Sequence, residues 1–163
     1  MKGKKLRVPN ADANLAFANY SGAAATPMPF AEVYLALKTN AVDGQENPLS
    51  TIDAQKFYEV QEYCALTGHI INDNNYIISK IVFDKLSPAQ QEAITKATAE
   101  AAEFHTTTFM DDEKALIEKF EQNGMTITTP DKAAFREACA PMYDEYVSKY
   151  GDAAVKAIEE ARQ

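Results

Sequence analysis

The sequence predicts an α/β fold with parallel strand pairing, and three observations carry that reading. Between residues 4 and 57, strand-like and helix-like segments alternate, the order that builds a parallel sheet with helices packed against it. After Pro88, no Pro or Gly interrupts a helix-compatible run until Gly124. A brief strand-like piece at 125–128 then leads into amphipathic segments that close the chain.

Residues 4–8, with Leu6 and Val8 apolar, read as a strand ended by Pro9 and Asn10. Asn10 or Asp12 then caps a helix carrying Leu15, Phe17 and Ala18, which stops near Ser21 and Gly22. Residues 24–28 are extended and broken by Pro27 and Pro29. Residues 30–39 form a short amphipathic helix in which Val33, Leu35, Ala36 and Leu37 turn inward while Glu32 and Lys38 face water. A strand-like Ala41-Val42 follows, then a tight polar turn, Asp43-Gly44-Gln45-Glu46-Asn47-Pro48. Asn47 is a favoured N-cap type and Pro48 suits a first helical position, so a helix is expected over 49–57 with Asn47 at its mouth. The free N–H groups and positive dipole end of such a mouth favour an anion.

Residues 63–67 and 76–79 have strand chemistry, separated by His69 and the polar run Asn72-Asp73-Asn74-Asn75. That run lacks the Gly and terminal Glu of a calcium loop. Ser87-Pro88-Ala89-Gln90 joins a Ser cap, a Pro at the first position and a Gln three residues on, a strong helix start. Fully helical to Gly124, the run would extend on the order of 50 Å at ~1.5 Å per residue, enough to brace two lobes. A kink at the threonines of 106–108 is equally allowed. Residues 131–150 form a helix that Pro141 kinks or breaks, and 152–162 form a last one. The expected division is a ligand-binding α/β lobe with crossover strands over 1–82, a bracing helix over 83–124, and a short strand with terminal helices over 125–163.

A chain of 163 residues, 46% hydrophobic and 25% charged, has enough length and apolar content for a real core. A net charge of −8 without clustered Lys and Arg argues against a nucleic-acid partner. No segment approaches the ~20 apolar residues of a membrane span, and the basic start at 1–7 lacks the apolar stretch of a secretory signal. Cys64 and Cys139 fit two buried small hydrophobes or a disulfide, and spacing alone does not choose.

Catalysis finds no support. Only His69 and His105 are available as bases, and no nucleophile elbow surrounds any Ser. No phosphate loop, dinucleotide fingerprint or two-His metal spacing is present, so neither cofactor nor metal is expected. Arg7 is the more informative residue. It ends a candidate strand, where open α/β sheets present ligand-contacting groups, and its planar guanidinium can grip a carboxylate with two parallel hydrogen bonds. An exposed edge-strand arginine would look the same at this level. Asn47, Phe30 and His69, each taken alone, are more often a cap, a core aromatic and a structural histidine than ligand-binding residues.

Taken together, LRVPN at 6–10, TPMPFAEVYLALKTNAVDGQENPLSTI at 26–52 and QKFYEVQEYCALTGHI at 55–70 resemble the solute-binding proteins of TRAP (tripartite ATP-independent periplasmic) transporters. The likeness runs from Lys2 to about Ile158 and is greatest to the sialic-acid-binding branch. It implies a periplasmic receptor that closes two α/β lobes over an acidic sugar such as N-acetylneuraminate and hands it to a membrane permease. By that resemblance Arg7 binds the ligand carboxylate, Asn47 assists there, and Phe30 packs on the ligand. Asn10 and His69 lie near the site. Because this chain matches only the C-terminal half of family members, the resemblance also implies that the N-terminal lobe, with a second carboxylate-binding arginine, is absent from it. Apolar surface and self-association through the open lobe interface are therefore expected.

Overall fold

The computed structural model describes residues 1–71 and 73–161, so Asn72 of the predicted polar run and Arg162 at the predicted helix end lie outside the described residues. The fold is α/β. Strand β1 (Lys5–Val8) occupies the centre of a three-stranded parallel sheet, flanked by β2 (Ala24–Pro27) and β3 (Gly44–Gln45). Helix α1 (Asp12–Tyr20) makes the first crossover, and the chain turns into β2 through Gly22, whose φ of +86° suits a residue without Cβ. A 3₁₀ turn (Phe30–Glu32) and α2 (Val33–Lys38) make the second crossover. A second parallel pair joins β4 (Tyr63–Ala65) to β5 (Thr126–Thr128), with Cys64 opposite Ile127.

Two apolar clusters cover the larger sheet. Leu6 and Val8 pack with Phe17, Ala18, Ala23 and Cys139. The other cluster gathers Val33, Leu37 and Val42, Ile52 of α3 (Leu49–Ala54) and Phe57, together with Cys64, Met125 and Phe120. Phe120 belongs to α5 (Pro88–Gln122), a single unbroken helix of 35 residues, so the kink allowed at 106–108 does not form. Its start has the expected chemistry: the Ser87 hydroxyl accepts from the Gln90 N–H, and the Gln90 side chain accepts from the Ser87 N–H. Helix α4 (Lys80–Phe83) precedes it, and Gln91 ties the two by donating to the Phe83 and Leu86 carbonyls. Past β5 lie α6 (Lys132–Ala138), capped by Asp131, α7 (Ala140–Tyr150) and α8 (Ala153–Ala161). The expected break near Pro141 falls at Cys139, because the proline stands in the first turn of α7, where its missing N–H costs nothing.

Several local expectations are corrected. Neither Asn10 nor Asp12 caps α1; Ala11 holds that position and supplies no side-chain bond. The strand expected at Ala41-Val42 forms three residues later, at Gly44–Gln45, because Val42 turns into the core instead of pairing. Leu35 is 64% exposed, since a helix of only six residues has one narrow inner face, held by Val33 and Leu37. Asn47 does not cap α3. Pro48 stands there with extended φ/ψ (−58°, 151°), which moves the first helical residue to Leu49. That helix stops at Ala54, and Lys56 turns left-handed (φ +53°) before a second 3₁₀ turn. Residues 76–79 do not form a strand: among the described residues no strand runs beside them, and Ile77 is 90% exposed. Cys64 and Cys139 are free, buried and in different clusters, so the buried-thiol alternative holds; burial pushes both thiol pKa values up.

Candidate functional site

Side chains alternate across a strand, so Leu6 and Val8 face the α1 side of the sheet and Arg7 faces the other. Arg7 is not an edge residue. Its register partners are Thr26 on β2 and Gln45 on β3, and the residue is only 3% exposed. One Nη donates to the Met28 carbonyl at 3.0 Å, and Cζ lies 5.6 Å from the centroid of the Phe30 ring. Phe30 in turn meets buried Phe57 edge to face, with centroids 6.2 Å apart. Among the described residues no carboxylate stands within ion-pair distance of Arg7, and its Nε is buried without a hydrogen-bond partner. Burial lowers the Arg7 pKa from its ordinary value, while the charge of Glu46 acts against that shift. An arginine stays protonated under either influence.

The polar run after β3 is sorted by the same alternation. Register places Gln45 on the Arg7 face. Asn47, two residues on in extended chain, joins it: its Nδ2 donates to Gln45 Oε1 at 2.5 Å. Glu46, between them, reaches the opposite face, where it accepts from Asn14 Nδ2 of α1 at 2.8 Å and stands 3.5 Å from His69 Nε2. That His69 contact is an ion-pair distance without hydrogen-bond geometry, so Nε2 has no hydrogen-bond partner. The His69 ring is held from elsewhere, by the Thr67 hydroxyl at Nδ1 (2.7 Å) and by stacking on Phe17 at 3.8 Å.

The five residues singled out from the sequence therefore fall into separate places. Arg7 and Phe30 touch, and Asn47 is tied to the residue beside Arg7. His69 lies on the α1 side, 3.5 Å from Glu46, and shares a cavity wall with Asn47 but not with Arg7 or Phe30. Asn10 sits exposed in the bend just after β1, and no polar contact joins its side chain to the rest among the described residues. A cavity of about 570 Å³ opens between Glu46, Asn47, Phe57, His69 and the α5 residues Phe109 and Glu113. Its wall includes Gln45 beside Asn47 but not Arg7 or Phe30, and the Arg7 Nε is buried away from it without a hydrogen-bond partner. The sequence reading missed Gln45 and Glu46. Their signal was present in the run at 43–48, had it been taken as extended, with alternate residues on opposite faces, instead of as a turn.

Chemically, the arrangement offers a guanidinium with an open donor, an aromatic face and a paired amide on one rigid parallel sheet. That set can hold a small anion; it contains no nucleophile with a base. The chain belongs to the bacterial extracellular solute-binding protein family 7, whose family model matches residues 1–149. This is a transport family and not a catalytic one. Among relatives, the chain is 50% identical over 157 residues to the sialic acid-binding periplasmic protein SiaP of Vibrio cholerae serotype O1, covering 96% of this chain and 49% of that protein. It is 34% identical over 166 residues to the 2,3-diketo-L-gulonate-binding periplasmic protein YiaO of Escherichia coli K12, covering 99% of this chain and 51% of that one. Among solved structures, it superposes with a TM-score of 0.86 and 41% identity on a TRAP periplasmic solute-binding protein of Roseobacter denitrificans with bound 3-deoxy-D-manno-oct-2-ulosonic acid, covering 96% of this chain and 52% of that one. The chain thus spans about half the length of the curated relatives it matches.

Proposed function

We propose that this chain is the carboxylate-reading part of a TRAP-type solute receptor, which takes a monocarboxylate sugar acid such as N-acetylneuraminate in the periplasm for delivery to a membrane permease. The observation that carries this reading is Arg7: a buried guanidinium with an unpartnered Nε and, among the described residues, no carboxylate within ion-pair distance. Such a group is costly to bury alone, and an arriving carboxylate supplies the missing partner. Phe30 then flanks the ligand and Asn47 adds a donor, while Asn10 and His69 lie at the margin. The names of the relatives agree in chemistry, since sialic acid, diketogulonate and the octulosonic acid are all sugar acids. The long helix α5 (Pro88–Gln122) acts as the brace to a second lobe.

Titration calorimetry of the chain with N-acetylneuraminate and with galacturonate tests this. Binding is expected for at least one, and Arg7→Lys should weaken it by about 2–5 kcal/mol, the cost of breaking a buried charged hydrogen-bond pair. Equal affinity in that variant would remove Arg7 from the site. A second reading is favoured by the bare apolar run over 76–82, in which Tyr76, Ile77, Ile81 and Val82 are all more than half exposed. On that reading the chain acts by associating with a second lobe or a second copy and does not bind ligand alone. Light scattering separates the two: a ligand-competent monomer supports the first, and a ligand-blind oligomer supports the second.

A further inference from the structure

The geometry points to Gln45 as the residue that positions Asn47 for the ligand carboxylate, an inference that rests on the carboxylate reading of Arg7. Gln45 is the register neighbour of Arg7 across the β1–β3 ladder, so the two side chains leave the sheet side by side on one face. Its own Oε1 is taken by Asn47 Nδ2 in a partly buried amide–amide bond. An asparagine amide carries two N–H donors. With one of them fixed on Gln45, the amide plane of Asn47 is set and the second donor is left for an acceptor. No other side chain among the described residues holds Asn47: it caps no helix, and Pro48 behind it offers no N–H. Without Gln45 that amide rotates freely, and the carboxylate must order it on binding. Gln45 therefore acts through Asn47. It presets a donor beside the guanidinium and, being neutral, adds no charge against the incoming anion, as a glutamate there would.

A double-mutant cycle with a spectroscopic readout tests this in the full chain, with N-acetylneuraminate and galacturonate as probes. Gln45→Met removes the acceptor and keeps the length of the side chain. It should weaken binding roughly tenfold, the scale of one lost neutral hydrogen bond. In an Asn47→Ala background the same change should have little further effect, because the residue it positions is gone. In the free protein, the Asn47 side-chain amide signals should move on Gln45→Met. Unchanged affinity with unmoved signals overturns the inference while leaving Arg7 in place, as does an undiminished loss in the Asn47→Ala background. No binding of either acid by the wild-type chain overturns the carboxylate reading, and this inference with it. Should Gln45→Met fail to fold, Gln45→Leu answers the question. Leucine likewise offers Asn47 no acceptor, so binding should fall by a similar factor and the Asn47 side-chain amide signals should move. Affinity and signals that both match wild type overturn the inference.

Discussion

The Arg7 corner and the run over 76–82 both carry aromatic and aliphatic side chains, and they end in opposite conditions. Around Arg7 the chain supplies its own partners: two flanking strands, the Met28 carbonyl, the Phe30 ring and, beneath it, Phe57. Over 76–82 the same β-branched and aromatic chemistry stands in water, with Ile77 90% and Ile81 71% exposed. A strand needs an edge to pair with, and this chain offers that run none. One region is thus packed by the chain's own residues, and the other stands unpacked among the described residues. The same apolar chemistry is buried where strands flank it and exposed where none does.

The largest expected effect breaks the packed region from below. Phe57→Ala empties the floor under Phe30, and at 1% exposure it should cost about 3–5 kcal/mol of stability by denaturant titration. Arg7→Lys comes next, with its loss of about 2–5 kcal/mol in binding and little change in the amide spectrum. Ser87→Ala removes the hydroxyl that receives the Gln90 N–H and should cost about 1 kcal/mol. Its cap lies just beyond the bare run, so a loss of that size would show that local order there does not depend on covering the apolar surface. The smallest change in stability is expected for Ile77→Asp, within about 0.5 kcal/mol, since an exposed side chain has no packing to lose. The same variant should reduce self-association by light scattering. A large loss of stability there would mean that the run is packed after all.

What could be read from sequence follows the range of the forces involved. The start of α5 was legible because a capping box is closed within four residues, Ser87 to Gln90. Strand β1 and the parallel order were legible from alternation and segment order, and they place Arg7 in the central strand, buried on the face away from α1. The failures lie where tertiary contacts decided. Val42 is apolar for the core and not for a ladder, so β3 formed at Gly44–Gln45. Asn47 has cap chemistry, but its amide is engaged by Gln45. Residues 76–79 have strand propensity without an edge. Gln45 and Glu46 were overlooked because a polar run with Gly and Pro reads as a turn, and only the register with Arg7 assigns them to opposite faces.

The most direct test of the account is a two-dimensional amide spectrum of the chain, recorded with and without N-acetylneuraminate. Trp is absent, so no indole fluorescence competes as a simpler probe. Dispersed peaks with ligand-induced shifts gathered at Arg7, Phe30, Gln45 and Asn47, and none over 76–82, are the predicted result. Dispersed peaks that shift around His69, Phe109 and Glu113 while Arg7 and Phe30 stay unmoved, or that do not shift with any sugar acid, would contradict it.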